Sequence, residues 1–303
     1  MSGPLHTIAL DLGGTDLKVA RVTRDGALLD FACVPSRAAE SAQALLGTLV
    51  GAARERLPAA ALGIGCPGVI EPASGALVDE TPHLALPKDF ALAAQLAGEL
   101  GVAVAADNDA NCAAYGEHFA GAARGARVSV TITVGTGIGC GIVVDGRVLR
   151  GAWGGAGEIS HMGQRSSGPR CKCGVEGCAE TTSGGEGLTH RAQAAGLAVG
   201  SARDVFDRAA GGDAIARRLI AEMTDALGHQ IAAVVQVVNP DVLVIGGGVA
   251  QAGDTLRVPV VAALHRYAQH SHTARLRVVP AELGNKAGVV GAGLMAWERV
   301  EVR

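Results

Sequence analysis

Three cysteines fall within the ten residues CKCGVEGCAE, at Cys171, Cys173 and Cys178, in a chain that has seven cysteines in all. His161 lies shortly before them in GEISHM. Three thiolates and one imidazole suit a tetrahedral Zn²⁺ with no open position, the chemistry of a structural metal. Spacing alone leaves a redox pair or a chance cluster open, because C-x-C is not the common C-x-x-C knuckle. Two acids sit close by. Glu158 is three residues before His161, so on a helical turn the two share a face. Glu180 follows Cys178 by two. A metal that fixed His161 would therefore fix both carboxylates as well.

A second group of acids is DNDAN, residues 107–111. A helix starting near Asn108 puts Asp109 in its first turn, where the helix dipole favours a carboxylate. The stretch also reads simply as a good N-cap cluster. Three glycine clusters stand at the ends of apolar runs: Leu12-Gly13-Gly14-Thr15, Gly135-Thr136-Gly137-Ile138-Gly139 and Gly246-Gly247-Gly248. Glycine lets backbone N–H groups converge on an anion without Cβ obstruction. Three such clusters point to a nucleotide. The chain has no Gly-Lys dipeptide, which excludes the Walker A loop. The 135–139 loop has glycine at every second position, unlike G-x-G-x-x-G, and the protein-kinase motif set is missing. Asp11, beside Gly13 and Gly14, would repel a polyphosphate unless a divalent cation lay between them. It reads as a water-mediated Mg²⁺ ligand, or as an Asp that caps the turn.

The elements that must hold these residues are α/β throughout. HTIALDLGGTDLKVARVTRDGALLDF reads as strand, glycine turn, strand and an Asp25-Gly26 hairpin turn. VSVTITVGTGIGCGIVVDGRVLRG repeats the plan about 120 residues later, ending in Asp145-Gly146. The repeat predicts a duplicated domain with a cleft between the halves. Between the copies, ALGIGCPGVI reads as a buried strand entering a Pro-Gly turn. ESAQALLGTLVGAARERL and DFALAAQLAGEL read as helices, and VAVAADNDANCAAYGEHF as a strand running into a helix. Later come the long helix DAIARRLIAEMTDALGHQIAAVVQVV, the strand PDVLVIGGGVA and the helix KAGVVGAGLMAWERV, which is expected to pack back on the first domain.

Composition agrees with a globular chain of two domains: 303 residues, 49% hydrophobic and 18% charged. Aromatics at 3% and a net charge of -3 argue against a nucleic-acid surface. Asp11 interrupts the first apolar run, so no signal peptide is expected, and no stretch is long enough to span a membrane. The chain reads as cytoplasmic. Cys33, Cys66, Cys112 and Cys140 are scattered singly and read as small buried hydrophobes.

Nearly end to end, the chain resembles the ROK family of sugar kinases (repressors, open reading frames, kinases), and among them the bacterial glucokinases. DLGGTDLKVA resembles the first phosphate motif, GCPGVI the Pro-Gly turn, and DNDANCAAYGE the catalytic-helix motif. VGTGIGCGIVVDGRVLRG is similar to the second phosphate motif, VLVIGGGVA to the adenosine motif, and GEISHM with CKCGVEGCAE to the zinc signature. The resemblance implies two ribonuclease-H-like lobes of the actin/hexokinase type with the active site between them. The lobes are expected at 1–112, completed by a helix at 287–303, and at 113–286. It also implies transfer of the γ-phosphoryl of ATP to a hexose 6-hydroxyl. Asp109 then matches the catalytic base. Asn108, Glu158, His161 and Glu180 match sugar ligands, and Gly65 and Gly68 flank the sugar-pocket turn. Asp11, Gly13, Gly14, Thr15, Thr136, Gly137, Gly246, Gly247 and Gly248 match nucleotide and Mg²⁺ contacts. His161, Cys171, Cys173 and Cys178 match ligands of a structural Zn²⁺, which makes the cysteine loop a metal-tied wall of the sugar pocket that does not touch phosphate. A homodimer is implied by resemblance only.

The chain departs from the family in ETPHLALPKDF, which has His83 and no Trp where members often carry Asn and then Trp. That loop contributes to the sugar site, so allose, mannose, fructose and N-acetylmannosamine stand as alternatives to glucose, and polyphosphate as an alternative donor. Asp16 and Cys140 also depart from the common pattern. A sugar-responsive regulator is the alternative of a different class. The repressors carry an N-terminal helix-turn-helix, whereas here the first phosphate motif begins by residue 8.

Overall fold

The computed structural model describes residues 5–81, 84–163 and 168–301. The chain divides into two compact units. The first comprises the chain up to Gly125, Gly141–Gly157 and the segment from Glu282 onward; the second comprises Ala126–Cys140 and Glu158–Ala281. The expected boundary after residue 112 falls inside a helix, and the first unit takes that helix whole.

The first unit is built on strands β1 (Thr7–Leu12), β2 (Asp16–Val22), β3 (Leu28–Pro35), β4 (Leu62–Cys66) and β5 (Val104–Asn108), in the order β3-β2-β1-β4-β5. β1 pairs antiparallel with β2 and parallel with β4, and β4 pairs parallel with β5. Alternation along β1 sorts its side chains. Ile8, Leu10 and Leu12 join the core formed with α1 (Ala42–Arg54) and α2 (Leu92–Leu100). Ala9 joins the other core, with Cys112, Ala114 and Tyr115 of α3 (Asp109–Ala120) and Val289, Val290 and Ala292 of the C-terminal helix (Ala287–Glu301). The C-terminal helix thus returns to the first sheet, as its sequence suggested. Fully buried Glu117 secures the return, its carboxylate accepting the backbone N–H groups of Ala122, Glu282 and Leu283.

The second sheet has the order β10-β9-β6-β7-β8, from β6 (Val128–Val134), β7 (Ile138–Val144), β8 (Arg147–Val148), β9 (Val242–Gly246) and β10 (Arg277–Pro280). Here β7 pairs antiparallel with β8, while β6–β9 and β9–β10 are parallel. Read from β8, the order reproduces that of the first sheet strand for strand, so the repeat seen in the sequence is a repeat of topology. The chain passes from the second unit to the first within β7.

Helices of the second unit are α4 (Glu180–Ser183), α5 (Gly185–Ala194), α6 (Ala202–Ala210), α7 (Ala214–Val238), α8 (Asp254–Tyr267) and α9 (His270–Thr273); the C-terminal helix is α10. Local chemistry sets their ends. Asp213 accepts the N–H groups of Ile215 and Ala216 at the start of α7, and Asn239 ends it in the left-handed region, just before Pro240. No helix among the described residues is long and apolar enough to cross a membrane.

Candidate active site

In the first unit the parallel register brings Asp11, Gly65 and Asp107 into one row across β1, β4 and β5, and Lys18 of β2 extends it. Paired residues point to the same face, so two carboxylates flank a residue that has no side chain. A Cβ on Gly65 would lie 3.2 Å from the Cys112 sulfur and 3.5 Å from Cα of Asp109. Gly65 therefore lets the first turn of α3 approach the sheet. Asp11 is buried and ion-paired with Lys18 at 2.8 Å.

The β5–α3 junction is tightly specified. Asn108 caps α3, accepting from Ala110 N at 2.8 Å and Asn111 N at 3.2 Å, while its amide donates to the carbonyl of Gly68 at 3.1 Å. Gly68 has φ +97, a left-handed value that favours glycine. Asp109 is the first helical residue and accepts the N–H of Ala110. Asp107, only 5% exposed, accepts from Asn108 N and Asn111 Nδ2 with one oxygen and from Arg150 Nε at 2.6 Å with the other. The Cys112 thiol reports the charge here. Burial pushes it well above its usual range, Asp107, Asp11 and Asp109 push it further, and Arg150 opposes them.

Sequence reading passed over Asp107, Arg150 and Lys18 as working residues. Asp107 stands inside the quoted DNDAN and Arg150 inside the second phosphate motif. Only sheet register and a contact 43 positions apart along the chain bring them together.

Both hairpin turns present open backbone donors. In the first, Gly13 N–H bonds to Asp16 O, and Ser36 covers the carbonyls of Thr15 and Gly14. The N–H groups of Gly14 and Thr15 have no acceptor among the described residues. In the second, Gly135 N–H bonds to Gly137 O and Ile138 N–H to the Glu180 carboxylate. This leaves the N–H groups of Thr136 and Gly137 without an acceptor among the described residues. Two adjacent N–H groups per turn form the kind of concavity that receives an anion. Of the third cluster, Gly247 (φ +93) packs against the Val134 backbone, and Gly248 faces open space.

In the second unit, one ligand atom each from His161, Cys171, Cys173 and Cys178 lie within 4.8 Å of one another. The Cys173 and Cys178 sulfurs are 3.5 Å apart, and the Cys171 sulfur is 3.7 Å from His161 Nδ1. Glu158 and His161 bracket a short 3-10 turn, Ile159–His161, which puts His161 Nε2 3.7 Å from the Glu158 carboxylate. The two ring nitrogens divide, Nδ1 toward the Cys171 sulfur and Nε2 toward the Glu158 carboxylate. Burial holds the Glu158 carboxyl above the ordinary range, with His161 opposing and Glu180 adding to the shift. Asp16 is exposed and Cys140 buried. His83 of the divergent loop lies outside the described residues.

The model of the ROK family matches residues 7–299. The chain is 35% identical to a glucokinase of Halalkalibacterium halodurans, over 96% of this chain and 95% of that protein. It is also 35% identical to an N-acetylmannosamine kinase of Citrobacter koseri, over 96% and 99%. A ROK family glucokinase from Streptomyces griseus, solved in complex with glucose and AMPPNP, superposes with a TM-score of 0.84 at 28% identity. That match covers 97% of this chain and 99% of the other.

Proposed function

The chain belongs to the ROK family, and from that premise we propose that it is an ATP-dependent hexose kinase, a glucokinase that phosphorylates the sugar 6-hydroxyl. The observation that carries the reading is the β5–α3 junction. It places the Asp109 carboxylate at a helix N-terminus, with Asn108 capping the helix and Asp107 bracing the junction from behind.

Asp109 accepts the proton of the attacking hydroxyl. A carboxylate is too weak a base to strip an alcohol in advance, so the proton moves late, as the bond to phosphorus forms. The open N–H pairs of Gly14 and Thr15 and of Thr136 and Gly137 donate to nucleotide phosphate oxygens, and Gly246, Gly247 and Gly248 line the adenosine side. Fixed dipoles of this kind stabilise the charge spread over the transferring phosphoryl group without reorganising. Asp11, ion-paired with Lys18, would supply a carboxylate to the magnesium ion that accompanies ATP, and that ion would offset the charge of its phosphates. Glu158, His161, Glu180 and Asn108 hold sugar hydroxyls, and the turn between Gly65 and Gly68 shapes that pocket.

Three thiolates and an imidazole are the donor set of a structural zinc ion, which His161, Cys171, Cys173 and Cys178 would hold. Such an ion would fix the backbone on which Glu158 and Glu180 stand. A homodimer rests on the family resemblance alone, and a cytoplasmic location on the charge of Asp11 that interrupts the first apolar run.

The test is a coupled ADP-release assay with magnesium ATP against glucose, mannose, fructose, allose and N-acetylmannosamine. Glucose giving the highest kcat/KM is the expected result. N-acetylmannosamine is the second reading, favoured by the equal identity to the Citrobacter koseri enzyme, and a higher kcat/KM for it would replace the first. Turnover with polyphosphate but not ATP would overturn the donor.

A further inference from the structure

Placing Glu180 among the sugar ligands separates the cysteine knot from the phosphates. Its contacts do not respect that division. One Glu180 carboxylate oxygen accepts the N–H of Ile138 at 3.1 Å, inside the second hairpin turn. The space where a Cβ of Gly137 would stand is filled by that oxygen, at 2.5 Å. The backbone just beyond Glu180 grips the same turn. Gly185 N–H donates to Gly135 O at 3.0 Å, and Glu186 N–H to Thr136 O at 2.9 Å. Gly184 and Gly185 come so close that a Cβ would lie 3.1 Å from Thr136 O and 2.5 Å from Gly135 O respectively.

The knot in turn holds Glu180. Cys178 bridges to Gly163, its sulfur lies 3.5 Å from His161 O, and Ala179 N–H donates to Met162 O. Among the described residues, the Gly135 and Ile138 N–H groups and the Gly135, Thr136 and Gly137 carbonyls are thus bonded either within the turn or to the segment that follows Cys178. The Thr136 and Gly137 N–H groups have no acceptor there.

We propose that Glu180 is a positioning residue for the nucleotide: through Ile138 it holds the Gly135–Ile138 turn in the shape that keeps the Thr136 and Gly137 donors open. The cysteine knot then sets nucleotide affinity as well as sugar affinity. This inference rests on the kinase reading, because it takes the turn as the seat of nucleotide phosphates. One carboxylate oxygen is engaged by the turn and the other has no protein donor among the described residues, so a single side chain serves both substrates. The acceptor, rather than the charge, does the positioning. Replacing it by an amide should preserve the turn, while deleting it should leave the Ile138 N–H unpaired and the turn loose.

The experiment is titration calorimetry with magnesium AMPPNP and no sugar, on the wild type, Glu180→Gln and Glu180→Ala, with glucose titrated separately. The expected result is a nucleotide Kd about tenfold weaker for Glu180→Ala and within about threefold of wild type for Glu180→Gln, with glucose binding weakened in both. Equal nucleotide Kd values in all three proteins would overturn the proposal, as would equal weakening in both variants. A wild type that binds no nucleotide would instead sink the kinase reading. If Glu180→Ala does not fold, Gly137→Ala asks the same question. Its methyl must displace the Glu180 oxygen while leaving the knot untouched, and an unchanged AMPPNP Kd would overturn the proposal.

Discussion

Across the ends of the first sheet the residues Lys18, Asp11, Gly65 and Asp107 lie side by side; the matching row of the second sheet holds Thr133 and Gly246. It closes with Ala281, whose N–H bonds to Ile245 O and whose Cβ would lie 2.7 Å from one on Gly246. The central glycine is common to both rows because a neighbour presses on it in each: Cys112 in one and Ala281 in the other. The charges are not common. Where the first row has its two carboxylates the second has Thr and Ala, although the strand order is the same. The duplicated scaffold supplies glycine turns and open N–H donors twice, and charged chemistry is added to one copy. The second copy obtains its carboxylates from an insertion. Between β3 and α1 the first copy has only Ser36–Ser41, whereas between β8 and α7 the second has Leu149–Asp213, which carries Glu158, Glu180 and the cysteine knot.

The comparison breaks most sharply at Asp109, which has no counterpart in the second copy. Asp109→Asn should lower kcat about 10³-fold while glucose Kd stays within about threefold, measured by the coupled assay and calorimetry. Near-normal turnover would remove the base from the first copy and the asymmetry with it. The next largest effect concerns the insertion. Cys173→Ser should lose its metal by elemental analysis, weaken glucose binding about tenfold and weaken AMPPNP binding by about threefold or more. A variant that keeps its metal and both affinities would show that the insertion does not brace the second copy.

A smaller effect tests the charged row itself. Arg150→Met leaves the Asp107 carboxylate without its ion-pair partner in a largely buried position. Removing one member of a fully buried pair costs about 3–5 kcal/mol, and because Arg150 is partly exposed the expected loss is about 2 kcal/mol by urea unfolding. The substitution should also lower kcat, because the junction that carries Asp109 loses the contact that holds Asp107 in place. Asp107→Asn in the Arg150→Met background should recover part of both effects. A stability loss with an unchanged kcat would separate the ion pair from the chemistry at Asp109.

How much of this could be read along the chain depends on range. The hairpin turns, the Asn108 cap and the order of elements were legible because each is set by neighbours in sequence: glycine at a turn, Asn before a helix, an apolar run for β1. The cluster of His161 with Cys171, Cys173 and Cys178 was legible because these residues are close together in the chain. The row was not, because register between β1, β4 and β5 fixes which residues align, and no local pattern encodes that Asp11 meets Gly65 and then Asp107. The double duty of Glu180 was hidden for the same reason. Its position after Cys178 suggested a pocket wall, but its partner at Ile138 lies 42 residues earlier.

The smallest predicted effect uses the scattered cysteines as reporters of the two copies. Cys66 and Cys112 lie against the acids of the first, and Cys140 near Glu158 of the second. Burial, with the neighbouring carboxylates adding to it, raises all three thiols, that of Cys140 to about 12. A thiol raised in the folded state stays protonated where the unfolded chain, at about 8.5, has begun to ionise. The unfolded state therefore binds fewer protons above that pH, and stability falls as pH rises from about 8.5. Unfolding in urea should show that decline, and Cys112→Ala should flatten it slightly. In native protein at pH 8, iodoacetamide followed by mass spectrometry should label exposed Cys33 and spare Cys66, Cys112 and Cys140. Labelling of Cys112 at the rate of Cys33 would mean that the first turn of α3 opens away from the row, and that the carboxylates of the first copy are not held as the sheet register places them.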